Sequence, residues 1–128
     1  MLGIRGWYKV KDFFRGIKPG IGNIIEWFPV IYKDRWWDHS FLYRILSFKL
    51  RQIERNFRGR GVAVHTEKEL RKIKTCYLLL DRLINDDYVS YKRGDNIRKS
   101  HEKEERMINQ DLDLLFKIMR KQIRVWWD

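Results

Sequence analysis

The sequence predicts an all-α protein: an antiparallel bundle of about three long helices, preceded by an aromatic-rich amphipathic helical segment. Three observations carry this. Apolar residues recur at spacings of three and four over most of the chain. Glycines, an N-cap and a capping box punctuate those stretches. No stretch reads as a firm strand.

The first helical segment runs from about Leu2 to Ile17. Trp7, Val10, Phe13, Phe14 and Ile17 share one face, and Gly16 with Pro19-Gly20 is expected to end it. A second, mostly apolar segment spans about Ile21 to Lys33, where Pro29 should kink or split the helix. The third starts after Asp38 as N-cap and runs to about Arg58, with Leu42, Leu46, Leu50, Ile53 and Phe57 as its stripe. Gly59 and Gly61 supply its stop. The fourth opens on the capping box Thr66-Glu67-Lys68-Glu69 and carries Leu70, Ile73, Tyr77, Leu80 and Ile84. Residues 88–99 read as an exposed loop turning at Gly94-Asp95-Asn96, and Val62 to His65 as a loop with scope for one extended piece. The fifth segment runs from about Ser100 to Trp126, with Ile108, Leu112, Leu115, Met119 and Trp126 on one side. The organisation expected is an N-terminal amphipathic helix over residues 1–20 and a bundle over 21–128, one domain overall.

Composition narrows the class. The chain has 128 residues, 44% of them apolar and 15% aromatic, which is enough to bury a core and too apolar for a disordered basic tail. The single Cys76 excludes a disulfide scaffold and a cysteine-rich zinc module. No apolar run approaches the roughly 20 residues a spanning helix needs, and residues 1–5 lack the pattern of a signal peptide. A cytoplasmic location in a reducing compartment is the expectation. The 28 Lys and Arg against 17 Asp and Glu give a net charge of +11, weighted towards residues 1–65. Nucleic acid, an anionic membrane surface, a nucleotide or an acidic protein each answers such a charge.

Several constellations suggest anion binding. Arg44, Arg51, Arg55 and Arg58 fall within roughly 60° of one another on the third helix, a face able to fork onto phosphates. A solvated face in a basic protein explains the same residues. Lys49 falls between Ile45 and Ile53, on the side read as apolar; it either snorkels or faces a ligand. Asp34-Arg35-Trp36-Trp37-Asp38-His39 gathers acid, base and aromatic groups at a helix entrance, where one Trp is expected to anchor the core. Lys68 and Arg71, with His65 at the helix N-terminus, form a second candidate anion site. Trp127 turns towards Arg120 and Arg124, either for packing or for a ligand contact. On the first helix, Trp7, Phe13, Phe14 and Ile17 oppose Lys9, Lys11, Arg15 and Lys18, the composition of an interfacial membrane helix; burial in the bundle or in a second subunit also fits.

Catalysis finds little support. His39, His65 and His101 belong to no metal-spacing motif, Cys76 reads as an inert core thiol, and no phosphate-cradling glycine loop is present. No enzyme activity, metal or cofactor is expected.

The run Trp27-Phe28-Pro29-Val30-Ile31, followed by Asp34-Arg35-Trp36-Trp37-Asp38 and by Leu42, Leu46, Lys49 and Leu50, resembles a family of small bacteriophage accessory proteins. The segment from His65 to Leu83 and the closing Trp126-Trp127-Asp128 are similar too, so the likeness covers residues 24–128. It implies an accessory protein in a bacterial cytoplasm and, by analogy, counter-defence by capture of a nucleotide immune signal. The resulting expectation is a non-catalytic homo-oligomer that binds a phosphorylated small molecule. Arg44 and Lys49 would contact phosphate, Arg35 would assist, and Trp37 or Trp127 would stack on a base, with His65, Lys68 and Arg71 as a second group. The alternatives are a nucleic-acid-binding protein using the Arg44–Arg58 face and an inhibitor of a host protein.

Overall fold

The computed structural model describes residues 4–60, 66–88 and 94–126. It contains four helices: α1 (Ile4–Lys33), α2 (His39–Arg60), α3 (Thr66–Asn85) and α4 (Ile97–Gln122). No strand occurs among the described residues. The chain divides into two compact units, residues 1–35 and residues 36–128.

The first unit corrects the sequence reading. Breaks are expected near Pro19-Gly20 and at Pro29, yet α1 runs through both prolines without interruption. Each proline removes one amide donor and crowds the carbonyl four residues back. At about 100° per residue, Pro19 falls on the back of α1 beside Asp12 and Glu26, while Pro29 falls at the border of the apolar sector, at the angle of Lys11. The helix therefore loses a hydrogen bond at each proline yet continues as helix on either side of it.

In the second unit, α2 begins where its cap predicts. The Ser40 amide donates to Asp38 Oδ1 at 2.9 Å, and that bond holds the Asp38 carboxyl below the usual carboxylate range. α2 continues past Gly59 to Arg60. α4 starts earlier than Ser100, because Asn96 Oδ1 accepts from the Arg98 and Lys99 amides at 3.1 and 3.4 Å. Two expectations about residues 88–99 change with it. Residues 97–99 are helical, and Tyr88 is buried rather than on an exposed loop. α4 ends at Gln122, and residues 123–126 form a turn that carries Trp126 back into the core. The loop reading of Val62–His65 lies outside the described residues.

The core consists of Leu50 from α2, Ile73, Cys76, Tyr77 and Leu80 from α3, Leu115 from α4, and Trp126. α3 is the central helix, touching both α2 and α4. Cross-helix contacts fix the directions. Ser47 meets Asp81 while Glu54, further along α2, meets Tyr77, earlier on α3. Arg82 meets Asp111 while Glu69 meets Trp126. Both neighbouring pairs are therefore antiparallel, in keeping with the predicted bundle.

The buried side of α2 is centred on Leu50 and includes Ser47 and Glu54. That placement rotates the helix relative to the expected stripe. Leu42, assigned to the core from its spacing, is 58% exposed, and Lys49 stands on the exposed surface rather than pointing inwards. Leu46, Leu50, Ile53 and Phe57 of the expected stripe do meet the core; what the spacing of apolar residues did not show is that Ser47 and Glu54 share the interface and Leu42 does not.

Leu115 is fully buried, so Leu115→Ala should cost about 3 kcal/mol in urea unfolding, whereas Leu42→Ala should stay within about 0.5 kcal/mol.

Candidate functional site

Polar side chains clamp both helix seams. Between α2 and α3, Ser47 Oγ donates to Asp81 Oδ1 at 3.1 Å, and Arg51 pairs with the other oxygen of Asp81. The Arg51 guanidinium also lies 4.2 Å from the centre of the Tyr77 ring. Glu54 is held by Arg58 at 2.6 Å. Between α3 and α4, Tyr88 donates its hydroxyl proton to Asp111 Oδ2 at 2.7 Å, and Arg82 Nε pairs with the same oxygen at 3.2 Å. At the far end of that seam Glu69 accepts from Trp126 Nε1 at 3.0 Å and pairs with Lys72 at 3.2 Å. The Gln122 amide, oriented with its NH2 towards Glu69, donates to that carboxylate at 3.1 Å and accepts from Lys72 at 3.0 Å.

These clamps consume part of the expected arginine face. The face flanks the seam with α3 instead of standing opposite the core, so Arg51 and Arg58 are engaged in ion pairs within the fold. Arg44 packs over the Phe41 ring at 5.2 Å. Arg35 folds back onto main-chain carbonyls, donating to Asp34 O at 2.8 Å and to Lys33 O at 3.3 Å. Neither tryptophan of the helix entrance anchors the core, contrary to expectation. Trp36 is 89% exposed and Trp37 67% exposed, and the two rings meet edge to face at 5.6 Å. They occupy a turn ahead of α2, where neither indole reaches the Leu50 stripe. Lys68 and Arg71 are exposed on α3, while His65 and Trp127 lie outside the described residues.

Antiparallel packing sorts the remaining charge by bundle end. The last turns of α2, the first half of α3 and the last turns of α4 share one end. That end carries Arg55, Arg58, Lys68, Arg71, Lys72, Lys74, Lys117, Arg120, Lys121 and Arg124, against Glu54, Glu67 and Glu69. Glu54 and Glu69 are already held by internal partners. At the opposite end and along the adjoining halves of the helices the charges nearly balance, because Asp81, Asp86, Asp87, Asp95, Glu102, Glu104, Glu105, Asp111 and Asp113 offset the cations there. Of the candidate residues, Lys68 and Arg71 belong to the basic end. Arg44 and Trp37 belong to the opposite end, so the two candidate groups do not form one site.

The cations on the exposed side of α4 are the group that reading the sequence missed as a site. Lys117, Arg120 and Lys121, with Asp113 and the half-exposed Phe116, line an open concavity. Lys117, Arg120, Lys121 and Arg124 form no ion pair among the described residues. Their spacing along one face was visible in the sequence, but their place on the same bundle end as Lys68 and Arg71 depends on the antiparallel register of α3 against α4.

Among the described residues, no group of three His, Cys, Asp or Glu is placed to hold a metal ion. Cys76 is fully buried, and burial pushes its thiol up to about 11, so at neutral pH it is a protonated packing residue. No protein-family model, curated protein or solved structure matches the chain at a significant level.

Burial, followed by the bond to Asp111, raises the Tyr88 hydroxyl above its ordinary value of 10.0. The folded state therefore favours the neutral phenol, and this contribution to stability is present below about pH 10 and lost as pH rises beyond it. The Tm of Tyr88→Phe should be lower than that of the parent at pH 7, by the equivalent of about 1 kcal/mol, with a shallower fall above about pH 10. Thermal melts followed by circular dichroism across pH 7 to 11 check both.

Proposed function

We propose that the protein is a non-catalytic binding protein whose basic bundle end holds phosphate-bearing ligands, with a nucleic-acid strand as the ligand that this surface fits best. The observation that carries the reading is the exposed cation group Lys117, Arg120, Lys121 and Arg124, on the same bundle end as Lys68 and Arg71. Cations spread over neighbouring helices match a string of phosphates better than a single one. The half-exposed Phe116 among them offers a ring on which a base can stack.

That concavity also supports a second reading, in which one phosphorylated nucleotide is captured with its base on Phe116 and its phosphates on Lys117, Arg120 and Lys121. This is the form that capture of an immune signal would take. The counter-defence role itself rests on the resemblance to phage accessory proteins. Self-association of the chain stays part of the proposal, since large apolar side chains outside α1, among them Trp36, Trp37, Leu78 and Leu114, are exposed.

Fluorescence anisotropy with a labelled single-stranded oligonucleotide and a labelled mononucleotide separates the two readings. The oligonucleotide should bind more tightly, with log K falling against log salt at a slope of about −3 if four phosphates are engaged. Arg120→Glu with Lys121→Glu should weaken it by at least about tenfold, while Arg44→Glu changes it little. Equal affinity for the mononucleotide with a shallow salt slope would favour capture of a small ligand. No effect of the double variant would remove the α4 surface from the account.

A further inference from the structure

The core cluster contains no residue of α1. At about 100° per residue, a sector of about 120° runs along the whole helix with only glycine and apolar residues in it. Phe13, Phe14, Ile21, Ile24, Phe28 and Ile31 stand in that sector, and each is more than half exposed. A helix of 30 residues presents this stripe over roughly 45 Å. Exposure on such a scale, in a protein that buries its other stripes, marks a docking surface.

Charge identifies the occupant. Lys11 and Lys18 border one edge of the apolar sector and Lys9 the other, while Asp12 and Glu26 lie on the back of the helix. Two copies of α1 packed face to face would set lysines beside lysines at the edges in either orientation, with no carboxylate there to oppose them. A surface that is apolar below and anionic at its rim suits the same pattern. Lysine stems lie along the apolar boundary and their ammonium groups reach the charged layer. Trp7 near the start and Tyr32 near the end of the stripe add amphipathic rings of the kind that favour a membrane boundary. No helix among the described residues is long and apolar enough to cross a membrane. A helix with one charged and one apolar side lies in the interface plane instead.

We infer that α1 is an interfacial anchor that docks on anionic phospholipid, with its apolar sector among the acyl chains and its lysines at the headgroups.

Co-sedimentation of the full chain with lipid vesicles tests this. Vesicles containing about a third phosphatidylglycerol should bind the protein at least about tenfold more tightly than phosphatidylcholine alone. Ile21→Asp with Phe28→Asp should reduce binding to anionic vesicles by at least about tenfold, and so should Lys11→Glu with Lys18→Glu. Lys11→Arg with Lys18→Arg should retain it, and the bundle melt should be unchanged in every variant. Arg120→Glu with Lys121→Glu, which alters the nucleic-acid surface, should leave vesicle binding intact, so the two proposals fail separately. Equal binding to both vesicle types, or none to the anionic ones, would overturn the inference. So would anionic binding that survives the apolar-sector variant, which would assign the attraction to surface charge alone. A stable dimer lost in that variant, without vesicle binding, would overturn it in favour of a second copy.

Discussion

Three carboxylates, Glu54, Glu69 and Asp111, are buried in a bundle of only three helices, and each must find a partner there. A buried carboxylate without one would cost several kcal/mol, more than a small domain can spare. Apolar stripes alone tolerate a slip of one helical turn, since leucine packs against leucine nearly as well one turn along. Carboxylates do not. Asp111 is satisfied only where Tyr88 and Arg82 reach it, and Glu69 only where Trp126, Gln122 and Lys72 do. These pairs contribute modestly to stability, because their cationic partners are partly exposed. What they impose is register.

Register in turn decides the charge pattern. With α3 antiparallel to both neighbours, the basic ends of α2 and α4 are brought beside the basic start of α3. The stretches in which acids offset the cations collect at the other end. The net charge of +11 is therefore not a uniform coat. As proposed, the basic end and α1 are two different kinds of anion-binding surface. The first offers forked and pointed cations with one exposed ring, and its binding should weaken steeply with salt. The second offers a long apolar stripe edged by lysines, and desolvation of that stripe supplies a part of the binding that salt does not screen.

Much of the fold was legible in the sequence. The α3 stripe Ile73, Tyr77 and Leu80 is the centre of the core, Asp38 caps α2, and Leu115 and Trp126 face inwards from the C-terminal segment. The failures share a cause: local rules were applied where geometry on a larger scale decides. Pro19 and Pro29 look like breaks, yet α1 continues through both. Asn96 caps α4 ahead of Ser100, where the last segment was expected to begin. The α2 stripe was read from apolar residues alone, which set Lys49 on the apolar side and left out the seam that engages Arg51. A signal for the polar interior did exist. Glu54 follows Leu50 by four residues, Asp81 follows Tyr77 by four, and Glu69 and Asp111 precede Ile73 and Leu115 by four, each in line with the core. The candidate site was less legible, because Lys68 and Arg120 are distant in sequence and share a bundle end only after the helices pair.

The central claim is that antiparallel register brings the start of α3 to the end of α4. Spin labels on Lys68→Cys with Lys121→Cys, and on Lys68→Cys with Lys103→Cys, measure it directly by electron–electron distance spectroscopy, and the buried Cys76 stays unlabelled in the folded protein. The account predicts the first distance to be shorter than the second by about 20 Å, since residues 103 and 121 lie roughly 27 Å apart along α4. Equal distances, or a longer first one, would contradict the register and with it the basic end.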